Sequence, residues 1–167
     1  MVVSTQEQSS ARRVIDEWFD LYADDVFRFS LWLTGNRDDA RDTVQEVFFR
    51  AHQGLSDFRH DASPKTWLFR IARNYVHDVH RKRRSDHRHI QQHRARDRTG
   101  ATFEDQVALY DALSRLPDNY RQVVVLRFAH DLSIQDTSQV LGWSSEKVRT
   151  TQHRALKRLK ELLNDDY

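Results

Sequence analysis

The sequence predicts an all-α fold: two small helical domains joined by a flexible basic linker, the C-terminal one carrying a helix-turn-helix. Three observations predict it. The 167 residues hold only four glycines and two prolines, and apolar residues recur every three or four positions rather than alternating. A polar stretch from Ser85 to Thr102, rich in His, Arg and Gln with Ile90 its one large aliphatic residue, interrupts that recurrence. Near the C-terminus a short helical pattern stops at Gly142 and restarts as a long basic helix. The domains are therefore expected at 12–84 and 105–167, with the linker at 85–104.

In chain order, Val14, Trp18, Leu21 and Tyr22, then Val26, Phe29, Leu31, Trp32 and Leu33, read as one or two amphipathic helices ended by Thr34-Gly35-Asn36. Asp38 and Asp39 open the next helix, where acids suit the helix dipole. Ala40, Val44, Val47, Phe48 and Ala51 form its inner side, and Gly54 closes it. After a loop, Ser63-Pro64 starts a helix expected to run to about Arg84. The second domain begins near Phe103, with Val107, Ala108, Leu109, Ala112, Leu113 and Leu116 on one helix. Pro117-Asp118-Asn119 breaks it and starts another, whose Val123, Val124, Val125, Leu126 and Phe128 are expected to be buried on most sides. Ser133 can cap the short first helix of the helix-turn-helix, Gly142 can take the positive φ between its helices, and Ser144 or Ser145 can cap the second.

Composition narrows the function classes. Without cysteine there is no disulfide or thiol chemistry, which fits a reducing compartment. The opening residues lack a basic head with an apolar run, and no stretch of about 18 apolar residues occurs, so neither secretion nor membrane insertion is expected. Net charge is only +2, but it is unevenly spread. Between Asp16 and Glu46 stand nine acids against three bases, a stretch suited to a basic or mixed protein partner. Between Arg70 and Arg98 stand ten bases against three acids, where a polyanion is welcome.

Helical projection at about 100° per residue divides two helices into faces. On the third helix Trp67, Leu68, Ile71, Ala72, Tyr75, Val76 and Val79 share a buried side, while Arg70, Arg73, His77, His80, Arg81 and Arg84 share the remaining arc. That stripe can track phosphates, and Trp67, Phe69 and Tyr75 beside it could stack on an unpaired base; the plainer reading is a solvated face over core aromatics. On the last helix Val148, Ala155, Leu159 and Leu162 project inward with Thr151 and Leu156 at the margins. Glu146, Arg149, Thr150 and His153 face outward as candidates for base reading, with Arg154, Lys157 and Arg158 as phosphate anchors. Gln152 is anomalous, a polar residue projecting into the buried face.

These residues resemble a family. Asp39-Ala40-Arg41-Asp42-Thr43-Val44-Gln45-Glu46-Val47-Phe48 is similar to the acidic, polymerase-docking segment of bacterial sigma factors. Trp67-Leu68-Phe69-Arg70-Ile71-Ala72-Arg73-Asn74 with Arg81-Lys82-Arg83-Arg84 resembles their melting and minus-10 helix. Leu116-Pro117, Gln122 to Arg127, and Leu141-Gly142 with Val148 and His153-Arg154-Ala155 resemble their minus-35 domain. Two domains without a middle one resemble the extracytoplasmic-function (ECF) type of the sigma-70 family. The resemblance implies a non-enzymatic, cytoplasmic protein without cofactor or metal, which binds core RNA polymerase and promoter DNA and has an anti-sigma partner. It implies sigma region 2 at 12–84 and region 4 at 105–167.

It also implies that Asp39, Asp42, Gln45, Glu46 and Phe48 bind core polymerase. Trp67, Arg70, Arg73, Asn74, His77, His80, Arg81 and Arg84 would bind the minus-10 element. The minus-35 element would fall to Glu146, Lys147, Arg149, Thr150, His153, Arg154 and Lys157. The loop from Ser56 to Ser63 is where the family captures an extruded base. Arg41 and Thr43 depart from the family's usual acid and leucine, Thr137-Ser138 from an aliphatic residue and alanine, and Gln152 from leucine.

Two rival classes remain. A metal enzyme could draw on His77, His80, His87, His89 and His93, but no carboxylate or cysteine completes a known spacing. A stand-alone helix-turn-helix regulator with an N-terminal sensing domain leaves the cationic stripe of the first domain unexplained.

Overall fold

The computed structural model describes residues 5–86 and 104–165, and these are helical with no strand among them. The chain divides into two units, 1–96 and 97–167. The linker expectation falls largely on 87–103, and the start near Phe103 and the side chain of Val107 likewise lie outside the described residues.

In the first unit, α1 (Thr5–Thr34) is one continuous helix of 30 residues. No glycine or proline interrupts it, so the helix runs on through Ala23-Asp24-Asp25 between its two apolar groups, with Asp24 exposed and Asp25 half-buried against Lys65 of the third helix at 3.2 Å. Ile15, Trp18, Val26, Phe29 and Ser30 are buried along the inner one. Gly35, at φ +78°, turns the chain, and Asn36 caps α2 (Arg37–Gln53) by accepting from the Asp39 amide at 2.8 Å. The Asn36 amide group in turn donates to the Asp39 carboxylate at 2.8 Å, so cap and third residue hold each other. Gly54 ends α2 where a Cβ would crowd the Arg50 carbonyl at 3.3 Å, while Trp67 at 3.7 Å would be an ordinary contact, so it is the last turn of α2 itself that favours glycine.

A short 3-10 turn (Leu55–Asp57) leads to α3 (Pro64–Asp86), capped by Ser63, which accepts from the Thr66 amide at 3.1 Å. α3 packs on both α1 and α2, burying Leu68, Phe69, Ala72 and Val76. Phe69 stacks on Phe29 with ring centroids 4.8 Å apart. It is fully buried, so it has no face to offer a base and belongs to the core instead. Each large apolar side chain sealed here contributes about 1.5–3 kcal/mol.

The second unit opens with α4 (Glu104–Arg115), which buries Ala112 and Leu113, followed by the buried Leu116. Pro117 starts α5 (Asp118–Val124). There the buried Arg121 donates to the Ser114 carbonyl at 3.2 Å and pairs with Asp118, tying α4 to α5. α5 runs on as a π turn (Val125–Ala129), with the His130 amide reaching back to the Val125 carbonyl at 3.2 Å. This wider turn shifts the register, and Phe128, expected inside, stands 52% exposed. The helix-turn-helix follows as α6 (Ile134–Leu141) and α7 (Ser145–Asp165). Ser133 caps α6 at 2.9 Å, Gly142 takes φ +66°, and Ser144 caps α7 at 3.1 Å.

Candidate nucleic-acid and polymerase interfaces

On α2 the residues expected to meet polymerase divide. Asp42 and Gln45 are exposed, and Glu46 is half-buried beside Arg50, whose Nε donates to it at 2.6 Å. Asp39 is held inside its own unit, for Arg83 of α3 donates to both its carboxylate oxygens at 2.9 and 3.1 Å. That guanidinium holds the Asp39 carboxyl below the usual carboxylate range; partial burial opposes the shift and Asn36 adds to it. Phe48, also expected to meet polymerase, is 7% exposed and packs edge-on against Phe19 at 4.9 Å, so little of its ring is open to a partner. Phe49, which sequence reasoning missed, is 59% exposed. It follows Asp42 by seven residues, Gln45 by four and Glu46 by three along one helical stripe, and that spacing could have found it. Of the departures on α2, Thr43 is buried with its hydroxyl donating to the Asp39 carbonyl at 2.7 Å. Arg41 lies exposed against Asp38 at 3.3 Å.

On α3 the expected stripe is present. Arg70, Asn74, His77, Arg81 and Arg84 are exposed, with Arg73 and His80 half-buried along the same arc. Desolvation lowers the Arg73 pKa from its ordinary value, though a guanidinium remains a cation. Trp67 is only partly exposed, because it packs edge-on against Trp18 at 5.9 Å and tilts on Phe58 at 5.1 Å. Tyr75 lies under the Arg50 guanidinium, 5.0 Å from ring centre to carbon. The aromatics beside the stripe are thus chiefly structural. In the loop before α3, His60 holds φ +57° against Phe58, with ring centroids 4.5 Å apart.

On α7 Val148, Thr151, Ala155, Leu159 and Leu162 are buried, while Glu146, Lys147, Arg149, Thr150, His153, Arg154 and Lys157 are all exposed. The projection from sequence therefore separates reading face from packing face. Leu156, at the margin, is 39% exposed. Lys147 rests its ammonium 4.2 Å above the Trp143 ring, which steadies it beside the start of α7. The anomalous Gln152 has a partner: Arg127 donates from Nε to its Oε1 at 2.8 Å. Among the described residues no group of three His, Cys, Asp or Glu side chains could hold a metal ion, and His87, His89 and His93 lie outside them. No described helix is long and apolar enough to cross a membrane.

Comparison with known proteins decides between the classes. Residues 18–86 match sigma-70 region 2 and residues 106–159 match sigma-70 region 4, in that order. The chain is 32% identical over 163 residues to the ECF RNA polymerase sigma factor SigX of Bacillus subtilis, covering 89% of this chain and 84% of SigX. It is equally 32% identical over 161 residues to the ECF sigma factor SigM of the same organism, covering 90% of this chain and 95% of SigM.

The chain belongs to the ECF sigma factors.

A solved relative, the sigma factor RpoE of Bartonella quintana in complex with the anti-sigma factor NepR, superposes with a TM-score of 0.76 at 26% identity. The match covers 91% of this sigma factor and 98% of RpoE. As an ECF sigma factor the chain acts in promoter recognition and transcription initiation, and the stand-alone regulator is not favoured. Region 2 coincides with the unit bearing the acidic α2 and cationic α3, and region 4 with the unit bearing the helix-turn-helix.

Proposed function

We propose that this sigma factor divides its work among three helices. The outer stripe of α2, with Asp42, Gln45, Glu46 and Phe49, docks on core RNA polymerase. The arc of α3 from Arg70 to Arg84 holds the opened minus-10 region, where cations along the phosphates offset the few kcal/mol that base extrusion costs. The face of α7 from Glu146 to Lys157 reads the minus-35 element, its first turns on base edges and its later cations on phosphate. The protein catalyses nothing itself, works in the cytoplasm, and is restrained by an anti-sigma factor, as its solved relative is bound by one.

The observation that supports this reading best is the exposure of seven residues on one face of α7 behind a capped helix-turn-helix, in a chain matching region 2 and region 4 in order. A net charge of only +2 suits a protein that binds promoters poorly alone and needs polymerase to do so. Asp42→Lys with Glu46→Lys should abolish association with core polymerase and polymerase-dependent transcription while leaving the thermal transition in place. Wild-type association by the double variant would remove α2 from the reading.

A further inference from the structure

One guanidinium joins three segments of the second unit. Arg127 stands in the π turn, donates from Nε to Gln152 Oε1 at 2.8 Å and from Nη1 to the carbonyl of Leu132. Leu132 immediately precedes Ser133, the cap of α6. Gln152 lies on α7 three residues after Arg149 and one before His153, both exposed. A single planar cation thus ties the start of the first helix of the helix-turn-helix to the third turn of the second.

The chemistry of this tie differs from the packing around it. Val148, Thr151 and Ala155 seal α7 through close contacts that have little directional preference. A hydrogen bond from a rigid fork does have one, weakening steeply as its angle departs from linear. The π turn supplies the aim, because one residue more per turn re-directs Arg127 relative to an unbroken α5. Rotating α7 by about 10° on its axis would carry a side-chain tip at roughly 6 Å radius through about 1 Å. Recognition geometry tolerates about 0.5 Å.

We propose that Arg127 is a positioning residue that, through Gln152, fixes the rotation of α7 and so decides which base edges Arg149 and His153 reach. The pair is then a determinant of upstream-element preference, and the half-buried amide on the packing side of α7 is there to be held. This rests on the reading of α7 as the minus-35 reader.

The test uses core RNA polymerase with the full-length protein and a promoter pool randomised in the upstream block, the transcripts being sequenced. Gln152→Leu, which keeps an apolar helix former on the packing face, should still yield transcripts. It should lose about tenfold of the discrimination at the base positions that Arg149→Ala also alters. Gln152→Glu, which keeps an acceptor oxygen opposite Arg127, should retain the wild-type ranking. In the free protein the Arg127 Nε–H should exchange slowly with solvent, and Gln152→Leu should make it fast. An unchanged ranking with Gln152→Leu, whether or not total transcription falls, would mean that the pair only supports the fold and would overturn the proposal. A wild-type pool without polymerase-dependent transcripts would overturn the sigma reading itself, and the proposal with it.

Discussion

Arg83, near the end of α3, grips Asp39 in the first turn of α2 through Nη1 and Nη2 of its guanidinium, at 2.9 and 3.1 Å. Seen along α3, Arg83 continues the row of Val76 and Val79 and not the arc of Arg70 to Arg84. The row that is apolar in the middle of the helix becomes ionic at its end, where it overhangs the opening of α2. A charge-assisted fork of this kind fixes two helix ends to each other, and these belong to the helix proposed for polymerase and the one proposed for DNA.

The pair makes the stability of the first unit sensitive to acid. Asp39 has a folded pKa below its ordinary value of 3.8, mainly because Arg83 donates to it. Its contribution is present above pH 3.8 and is lost as pH falls through the lowered value. Asp39→Asn should therefore lower the melting temperature at pH 6 and make the wild type and the variant converge as pH falls through the lowered value. A constant gap between the two melting curves across that range would show that the ion pair contributes nothing.

Thr137 is fully buried on α6, and its hydroxyl has no hydrogen-bond partner among the described residues. An unpaired buried hydroxyl costs about 1–3 kcal/mol. Thr137→Val should stabilise the second unit by about 1 kcal/mol and raise its calorimetric transition by several degrees. A lower transition would mean that the hydroxyl is satisfied in solution.

Gly142 turns the chain at φ +66° with open space around the position of a Cβ, so the demand there is on backbone conformation and not on room. Gly142→Val should cost about 1–2 kcal/mol and disturb the angle between α6 and α7. Thermal unfolding, together with transcription from a promoter dependent on its upstream block, measures both effects.

Arg149 and Lys157 share the exposed face of α7 but lie two turns apart. Arg149→Ala should relax preference at one or two upstream positions by about 1–3 kcal/mol. Lys157→Ala should weaken binding of the holoenzyme uniformly across sequences and reduce the salt dependence by about one phosphate contact. Selection from a randomised upstream block at two salt concentrations separates the two behaviours.

What could be read in advance follows from the range of the forces involved. Ser63, Ser133 and Ser144 cap helices because a hydroxyl three residues from an amide is local chemistry. The division of α7 into faces is periodicity alone, and it holds from Val148 to Leu162. The misread features depend on partners distant in sequence or on irregular turns. Phe128 leaves the core because of a π turn that no residue type announces. Phe69 sits just past the edge of the projected apolar face and is drawn inside by stacking on Phe29 of another helix. The bond of Arg83 to Asp39 spans 44 residues and that of Arg127 to Gln152 spans 25, so neither could be paired from spacing. Gln152 does stand out as a polar residue on an apolar face, and such a misfit is the sequence trace of its part-buried bond to Arg127.

The central claim is that this chain confers promoter choice on core RNA polymerase through two separate contacts with DNA. Run-off transcription from a pool of random promoters, with core polymerase and with or without the protein, tests it most directly. Transcripts should appear only with the protein and share two upstream sequence blocks, the farther of which changes when Arg149 is replaced. Transcripts independent of the protein, or site-specific DNA binding by the protein alone with no effect on polymerase, would contradict it.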